Sequence, residues 1–229
     1  MTDGGDITIE RPLEGLFVAQ PRRGFRYGSE AFWLVGFALE AGLPDTAVDL
    51  GTGSGIMACL LTRLRVQTMG VDLRSEWAPC WDVTRRDSRG LERLTLMQAD
   101  VASFVSETRV DLVVSNPPFF PKDSGPVSPD GWKAAARTES TAPLSVFIEA
   151  ALRTICPTGR VCFVVPQERA DEVVHARAFV SRRVDVGKRR TLVELRPGEG
   201  RASMVERVAE DCPRVSAWYA AALGRDESS

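Results

Sequence analysis

The sequence contains few of the residues from which metal sites and disulfide frameworks are built. Its 229 residues include one histidine and five cysteines, an odd number without a C-x-x-C pair, so the pattern predicts neither a zinc site nor a disulfide framework. No apolar run approaches the length of a membrane span. The opening segment MTDGGDITIE is acidic and glycine-rich, whereas a secretory signal is basic and then apolar. We therefore expect a soluble, cytoplasmic protein that holds no metal, with a monomer as the default.

The sequence also lacks the excess of positive charge that is typical of proteins that neutralise many phosphates. Its formal net charge is −2 at pH 7, which argues against nucleic-acid binding by charge alone. Basic residues are nevertheless concentrated near the two ends of the chain: Arg22, Arg23 and Arg26, then Arg182, Arg183, Lys188, Arg189 and Arg190. If both clusters share a face they could hold a phosphate backbone, and otherwise they are solvated surface.

From residue 46 onward, short β-rich runs alternate with stretches that have apolar residues at helical spacing. The runs that predict strands are 46–50, 66–71, 93–98, 110–115 and 159–165. This alternation predicts an α/β fold with a doubly wound, mostly parallel sheet. Residues 170–180 predict a helix, and 189–197 and 201–210 predict two strands joined by a short turn, which gives an antiparallel last strand.

The length of the chain is sufficient for one sizeable domain. We expect residues 1–45 to form a hairpin and helix that pack on the core, residues 46–215 to form the main domain, and residues 216–229 to form a tail. Residues 121–140 are rich in glycine, serine and proline and predict a long loop.

A glycine-rich turn follows the first strand of the main domain, in the segment VDLGTGSGI. Asp49 lies at the strand end, and Gly51, Gly53 and Gly55 permit positive φ and close approach of a ligand to the backbone. Ile56 stands where a dinucleotide-binding fingerprint needs its third glycine, so the pattern disfavours a pyrophosphate-binding oxidoreductase.

Two further acids lie at the ends of the next two predicted strands. Asp72 follows Gly51 by 21 residues, a position from which a carboxylate can accept both ribose hydroxyls of a nucleoside. Asp100 ends the third strand, where it could accept a hydrogen bond from an adenine amino group. Three acids at successive strand ends predict a site for a nucleoside cofactor.

The segment DLVVSNPPFF begins as a short buried strand and cannot continue as one. Pro117 and Pro118 lack a backbone N–H and fix φ, so the chain leaves the sheet as a stiff loop. The loop presents Asn116 and an aromatic ring at the carboxyl end of a strand, which is where α/β sheets bind their ligands.

Both patterns resemble those of class I S-adenosylmethionine-dependent methyltransferases. The glycine turn resembles motif I of that superfamily, and Asn116-Pro117-Pro118-Phe119 resembles the (D/N/S)-P-P-(Y/F/W) motif of members that methylate a planar amino group. The resemblance covers roughly residues 46–210. It implies a seven-stranded Rossmann-like sheet with an antiparallel last strand, and S-adenosylmethionine as the cofactor.

The resemblance also implies how the second motif acts. A conjugated amino nitrogen has a poorly available lone pair. Acceptance of its two N–H bonds, by the Asn116 side-chain oxygen and the Pro117 carbonyl, would favour the pyramidal nitrogen that forms during attack. Phe119 would stack on the base.

Among methyltransferases with this motif, the chain resembles the bacterial tRNA1(Val) adenine-N6 methyltransferase family. The resemblance is carried by QPRRGFRYGSEAFWLVGFA near the start and by several segments after NPPFF, in the same order. It implies that Gln20, Phe25 and Asn116 border the cofactor. The residues it implies for contact with a tRNA substrate are Arg22, Arg26, Phe119, Phe120 and Arg137.

Three functions remain open from sequence. The first is adenine-N6 methylation of tRNA, with the base flipped out of its stack. The second is methylation of a protein glutamine at N5, which needs the same motif, although such relatives usually carry a helical N-terminal domain for which 45 residues leave little room. The third is a non-catalytic RNA-binding protein on a methyltransferase fold, which would have no need of Gly51, Gly53, Asp72 and Asn116.

Overall fold

The computed structural model describes residues 7–23, 26–118 and 142–225. The predictions made for Phe25, Phe119, Phe120, Arg137 and the loop 121–140 concern residues outside these ranges.

Ten strands and five α-helices lie in the described ranges. The strands are β1 (Ile7–Leu13), β2 (Leu16–Pro21), β3 (Thr46–Leu50), β4 (Gln67–Asp72), β5 (Leu94–Gln98), β6 (Val110–Ser115), β7 (Ile155–Pro166), β8 (Ala178–Val186), β9 (Arg190–Pro197) and β10 (Val205–Val208). The helices are α1 (Ser29–Leu39), α2 (Ile56–Arg63), α3 (Ala78–Asp87), α4 (Leu144–Thr154) and α5 (Pro213–Ala222), with 3₁₀ turns at Ser75–Trp77 and Gln167–Glu172. Within the described ranges, no helix combines the length and the hydropathy needed to cross a bilayer.

Eight of the strands form one sheet in the order β10-β8-β9-β7-β6-β3-β4-β5. Strands β3 to β7 run parallel, β9 is antiparallel to both β7 and β8, and β10 is parallel to β8. The predicted α/β fold with a mostly parallel, doubly wound sheet is confirmed.

Two details at the C-terminal edge of the sheet differ from the prediction. The α-helix predicted over 170–180 does not form. A 3₁₀ turn ends at Glu172, and β8 begins at Ala178. The strands β9 and β10 do not pair with each other, because β8 lies between them. The antiparallel strand is therefore β9, inside an eight-stranded sheet, and the last strand β10 is parallel to its neighbour.

The central strands are buried because helices cover both faces of the sheet. Ala47, Leu112 and Val114 of β3 and β6 pack with α1, α2 and α5, whereas Val48 and Val113 pack with α4 on the opposite face. Strands covered on both faces are continuously apolar rather than alternating, which explains the runs TAVDL and VDLVVS. The carboxyl ends of β3, β4, β5 and β6 consequently meet at one edge of the sheet.

The N-terminal hairpin of β1 and β2 lies against α3. The Ala19 backbone N–H donates to Thr84 Oγ1 at 3.0 Å, and the Phe17 N–H donates to Ser88 Oγ at 2.9 Å. Thr84 of α3 and Ser88, directly after α3, thus supply hydrogen-bond acceptors to β2 and hold the hairpin against this helix.

Helix α5 packs directly on α1. The rings of Phe37 and Trp218 meet edge to face with centroids 5.7 Å apart, and the Trp218 indole N–H donates to Glu40 Oε1 at 2.7 Å. The domain boundary predicted at residues 215 and 216 falls inside this helix.

Gly36 makes the close approach of α1 and α5 possible. A Cβ atom at position 36 would overlap the backbone of Trp218. Alanine is more favourable than glycine in a helix interior by about 1 kcal/mol, so propensity alone predicts that Gly36→Ala stabilises the protein. We expect the opposite, a loss of about 1–3 kcal/mol or more from overpacking, measured by urea unfolding. An unchanged or higher free energy of unfolding would contradict the described contact.

Candidate functional site

The turn between β3 and α2 is held by the end of β4. The backbone N–H groups of Gly51 and Thr52 donate to the Val71 carbonyl at 2.8 and 2.9 Å, and the Gly55 N–H donates to the Thr52 carbonyl at 2.9 Å. Gly51, Gly53 and Gly55 have φ of +72°, +53° and +83°, a region that side-chain-bearing residues rarely adopt. The three glycines predicted from sequence are therefore needed by the backbone of the turn itself.

Gly53 is held by side chains on both sides. Its N–H donates to Asp72 Oδ2 at 2.9 Å, and its carbonyl accepts the indole N–H of Trp81 at 2.8 Å. Trp77 also lies beside it, since a Cβ at position 53 would be 3.5 Å from the Trp77 ring.

Asp49 lies beneath the turn, fully buried in β3. Its Oδ2 accepts the Thr52 hydroxyl at 2.6 Å. Burial raises the pKa of Asp49 to about 7, and the hydrogen bond from Thr52 opposes part of that rise. The carboxyl group thus titrates near neutral pH and holds the turn from below.

Asp72 is also nearly buried, and both of its oxygens are engaged at the end of β4. Oδ2 accepts the Gly53 N–H, and Oδ1 accepts the Arg74 backbone N–H at 3.0 Å, with the Arg74 Nε 3.6 Å away. A carboxylate oxygen has two lone pairs, so each oxygen can accept one more hydrogen bond. The Arg74 guanidinium lies over the Trp77 ring, 4.9 Å from its centroid.

Asp100 is exposed, and it stabilises the turn that directly follows it in the chain. Its Oδ1 accepts the Ala102 N–H at 2.9 Å, and its carbonyl accepts the Phe104 N–H at 2.8 Å. Its position one strand beyond Asp72 agrees with the predicted row of acids at successive strand ends.

Asn116 follows β6 on the same edge as the glycine turn. Asp49 of β3 pairs with Val114 of β6, and the Ser115 hydroxyl donates to the Leu50 carbonyl at 2.7 Å, which ties the two strand ends together. The Asn116 side-chain oxygen is buried and has no hydrogen-bond partner among the described residues. Because a buried acceptor without a partner is costly, such an atom indicates a missing donor.

These features fit a nucleoside ligand with donor groups. The glycine turn exposes backbone without Cβ atoms, Asp72 retains free lone pairs, and Asn116 offers an unused acceptor at the neighbouring strand end. On the Gly51 side, Phe147 of α4 closes the turn, because a Cβ at position 51 would lie 3.0 Å from its ring.

The N-terminal candidates form a separate network. The Gln20 side chain is buried, with its Nε2 donating to Glu10 Oε1 at 2.8 Å and its Oε1 accepting the Tyr27 N–H at 3.4 Å. Arg26 forms an ion pair with the same Glu10 oxygen. Arg22 is exposed. The structure therefore groups Gln20 and Arg26 around Glu10.

Several cations of the two basic clusters identified in the sequence are paired with acidic side chains, so only part of each cluster could contact a phosphate backbone. Arg182 pairs with Glu40 at 2.9 Å and with Glu194 at 2.5 Å, and Arg183 pairs with Asp171 at 2.5 Å. Lys188 and Arg189 are exposed in the turn between β8 and β9. Arg190 lies 4.0 Å from Glu30 at the start of α1, so this turn is close to the segment that carries Arg26.

Three residues that are not among the predicted site residues also contact the turn or Asp49 beneath it: Thr52, Trp77 and Trp81. The spacing of Trp77 and Trp81 could have predicted that both rings face the same neighbour, because residues four apart lie on one face of a helix. Which carbonyl the indole N–H would meet depends on the packing of α3 against the turn, and local sequence does not specify that packing.

Comparisons with known proteins show similarity to methyltransferases. The family model described as "Methyltransferase small domain" matches residues 29–130. The tRNA1(Val) (adenine(37)-N6)-methyltransferase of Porphyromonas gingivalis is 29% identical over 158 residues, which are 65% of this chain and 61% of that protein. The protein of the same name from Escherichia coli O157:H7 is 28% identical over 157 residues, covering 66% of this chain and 63% of that one. The matched region thus spans about three fifths of the length of these relatives.

Among solved structures, the ribosomal protein L11 methylase of Lactobacillus delbrueckii subsp. bulgaricus has a similar fold. Its TM-score is 0.58 at 14% identity, with 83% of this chain and 99% of that chain covered. This likeness supports the fold.

The raised pKa of Asp49 predicts a specific dependence of stability on pH. Between pH of about 4 and 7 the folded chain keeps a proton on Asp49 that the unfolded chain has lost, so stability falls as pH rises through this window. Asp49→Asn cannot ionise. We expect its free energy of unfolding, relative to wild type, to increase across the window and stay constant above it, measured by urea unfolding at several pH values.

Asp87→Asn is the matched control for this titration. Asp87 is paired with Arg86, which lowers the pKa of Asp87, so this variant should lose relative stability as pH rises through the acidic range. A wild-type stability profile that the Asp49→Asn substitution leaves unchanged would refute the raised pKa.

Proposed function

We propose that the chain is a class I S-adenosylmethionine-dependent methyltransferase that transfers a methyl group to N6 of an adenine in tRNA. The observation that carries the proposal is the buried side-chain oxygen of Asn116, which follows β6 beside the glycine turn and has no hydrogen-bond partner within the described part of the chain. The names of the curated relatives support the choice of tRNA adenine as the target.

We propose that the motif Asn116-Pro117-Pro118-Phe119 binds the amino group of the target base. Asn116 accepts one N–H bond on its free oxygen, and the Pro117 carbonyl accepts the other. Two acceptors fixed by a Pro-Pro segment favour the pyramidal nitrogen over the planar one, so they bind the transition state more tightly than the ground state. Phe119, which follows directly, would stack on the flipped base.

The bound cofactor supplies a methyl group on a positively charged sulfur. We assign its ribose hydroxyls to the remaining lone pairs of Asp72, and its backbone contacts to Gly51, Gly53 and Gly55. Asp100 would accept the adenine amino group of the cofactor. Asp49 does not contact the cofactor but holds the turn in place through its hydrogen bond with Thr52. Gln20 and Phe25, in the N-terminal segment, border the cofactor site.

For the RNA, we propose contacts from Arg22, Arg26, Phe120 and Arg137, with Lys188 and Arg189 close enough to take part. Acidic side chains lie among the cations of this region. Glu10 pairs with Arg26, and Glu30 lies beside Arg190, the residue that follows Arg189. Phosphate contacts should therefore be few, and the salt dependence of tRNA binding should be shallow.

The same acceptors would also suit a glutamine side-chain amide. Such an amide presents a planar NH₂ group, and nothing at Asn116 distinguishes it from an adenine. The curated relatives favour the nucleic acid, and the two substrates are separated by supplying each one to the purified protein. A non-catalytic protein would not need to keep a buried amide oxygen without a partner, because that arrangement costs stability.

Cofactor binding is tested at Asp72. We expect Asp72→Ala to weaken binding of S-adenosylhomocysteine by about tenfold or more, since hydrogen bonds to charged groups are worth about 1.5–3 kcal/mol. Isothermal titration calorimetry measures the effect. Asp82→Ala, which removes an exposed acid of the nearby α3, serves as the control and should bind normally. Undiminished affinity in a folded Asp72→Ala protein would exclude the assigned role.

Chemistry is tested at Asn116. Asn116→Ala removes the free acceptor and leaves the glycine turn and Asp72 in place, so cofactor affinity should persist. The rate of methyl transfer should fall on the order of 100-fold, as when one preorganised transition-state partner is removed. The measurement is single-turnover transfer to unmodified tRNA with both ligands saturating.

Ser115→Ala provides the neighbouring control for that experiment. It removes the hydrogen bond to the Leu50 carbonyl, so it should lower stability while leaving the transfer rate within a few-fold of wild type. If Asn116→Ala transferred methyl at the wild-type rate, the amide would be a turn residue and the proposed chemistry would be wrong.

A further inference from the structure

We propose that Trp81 is a positioning residue for the cofactor, acting through the peptide group of Gly53. The inference rests on the proposed function, because it concerns the same cofactor site. It adds a residue on α3 that the glycine motif does not contain and that the ligand would not need to touch.

Two peptide planes meet at the Cα atom of Gly53. The plane before its Cα carries the Gly53 N–H, which Asp72 Oδ2 accepts at 2.9 Å. The plane after its Cα carries the Gly53 carbonyl, which accepts the Trp81 indole N–H at 2.8 Å. Each plane is thus held by a different side chain, and holding both planes sets φ and ψ of a glycine that is otherwise free to rotate.

The Trp81 bond is protected from water. The Trp81 side chain is 3% exposed and belongs to a buried cluster with Ala19, Trp77 and Leu96. Hydrogen bonds in such surroundings are not exchanged for bonds to water, and a carbonyl that loses its donor there keeps an unpaired acceptor.

Helix α3 holds Trp81 in place from its other side. Thr84, three residues along α3, accepts the Ala19 backbone N–H of β2 at 3.0 Å. The N-terminal hairpin, α3 and the glycine turn are therefore connected through successive contacts. Any shift of α3 would be passed to the Gly53 carbonyl, and thereby to the backbone that faces the cofactor.

The decisive variant is Trp81→Phe, which keeps an aromatic ring in the cluster and removes the N–H donor. We expect its affinity for S-adenosylhomocysteine to fall about three- to tenfold, the range that the loss of one hydrogen bond gives, as measured by calorimetry. KM for S-adenosylmethionine should rise by a similar factor, while kcat at saturation stays close to wild type. Hydrogen exchange at the Gly53 and Gly55 amides of the ligand-free protein should become faster.

Trp218→Phe is the matched control. It also keeps a buried ring and removes an indole N–H donor, in this case the bond to Glu40 at 2.7 Å between α5 and α1. It should lower the free energy of unfolding at least as much as Trp81→Phe does. Because the Trp218 hydrogen bond joins α5 to Glu40 after α1 and not to Gly53, cofactor affinity and exchange at Gly53 should be unchanged.

The outcomes separate the positioning role from general stability and from the proposed function. Weaker cofactor binding and faster exchange in Trp81→Phe alone would support the inference. Equal affinity in Trp81→Phe and wild type would overturn it and leave the proposed function standing, as would equal losses of affinity in both tryptophan variants. Wild-type protein without affinity for S-adenosylhomocysteine would overturn the proposed function and this inference with it.

Discussion

The N–H groups of Gly51, Thr52 and Gly53 all point to the end of β4, where the Val71 carbonyl and the Asp72 carboxylate accept them. This set of hydrogen bonds bends the chain sharply between β3 and α2 and leaves the backbone of the turn facing the edge of the sheet. Glycine is needed because the required φ values are positive. The start of α2 and the orientation of Asp72 depend on this set of hydrogen bonds. Under the proposed function, the carboxylate that holds the turn also binds the ribose.

The second half of the site depends on the neighbouring strand pair. β3 and β6 are adjacent and parallel, and the Ser115 hydroxyl joins their carboxyl ends. Asn116 therefore emerges beside the glycine turn without any long-range loop having to bring it there. A parallel sheet collects its strand ends at one edge, so residues about 65 positions apart in the chain can act on one ligand. Among the residues that the structure describes, none donates a hydrogen bond to the Asn116 side-chain oxygen.

Much of this arrangement could be predicted from sequence because it is encoded locally. The glycines, Asp72 and the proline pair each have backbone or strand-end requirements that act within a few residues. Strand β8 could not be predicted in the same way. Its segment AFVSRRVDV interrupts apolar residues with Ser181, Arg182 and Arg183. Its extended form depends on pairing with β9 and β10, and on the ion pair between Arg182 and Glu194 across the strands. The hydrogen bond from Trp81 to Gly53 could not be predicted either, because it depends on how α3 packs against the glycine turn.

The central claim is that a methyl group from S-adenosylmethionine reaches an adenine N6 in tRNA. It is tested most directly by incubating the purified protein with methyl-labelled S-adenosylmethionine and tRNA that lacks modifications, followed by mass spectrometry of the digested nucleosides. The account predicts label in N6-methyladenosine and in no other nucleoside. Label in a different nucleoside, label in a protein glutamine when protein substrates are supplied, or no transfer to tRNA at all would contradict it.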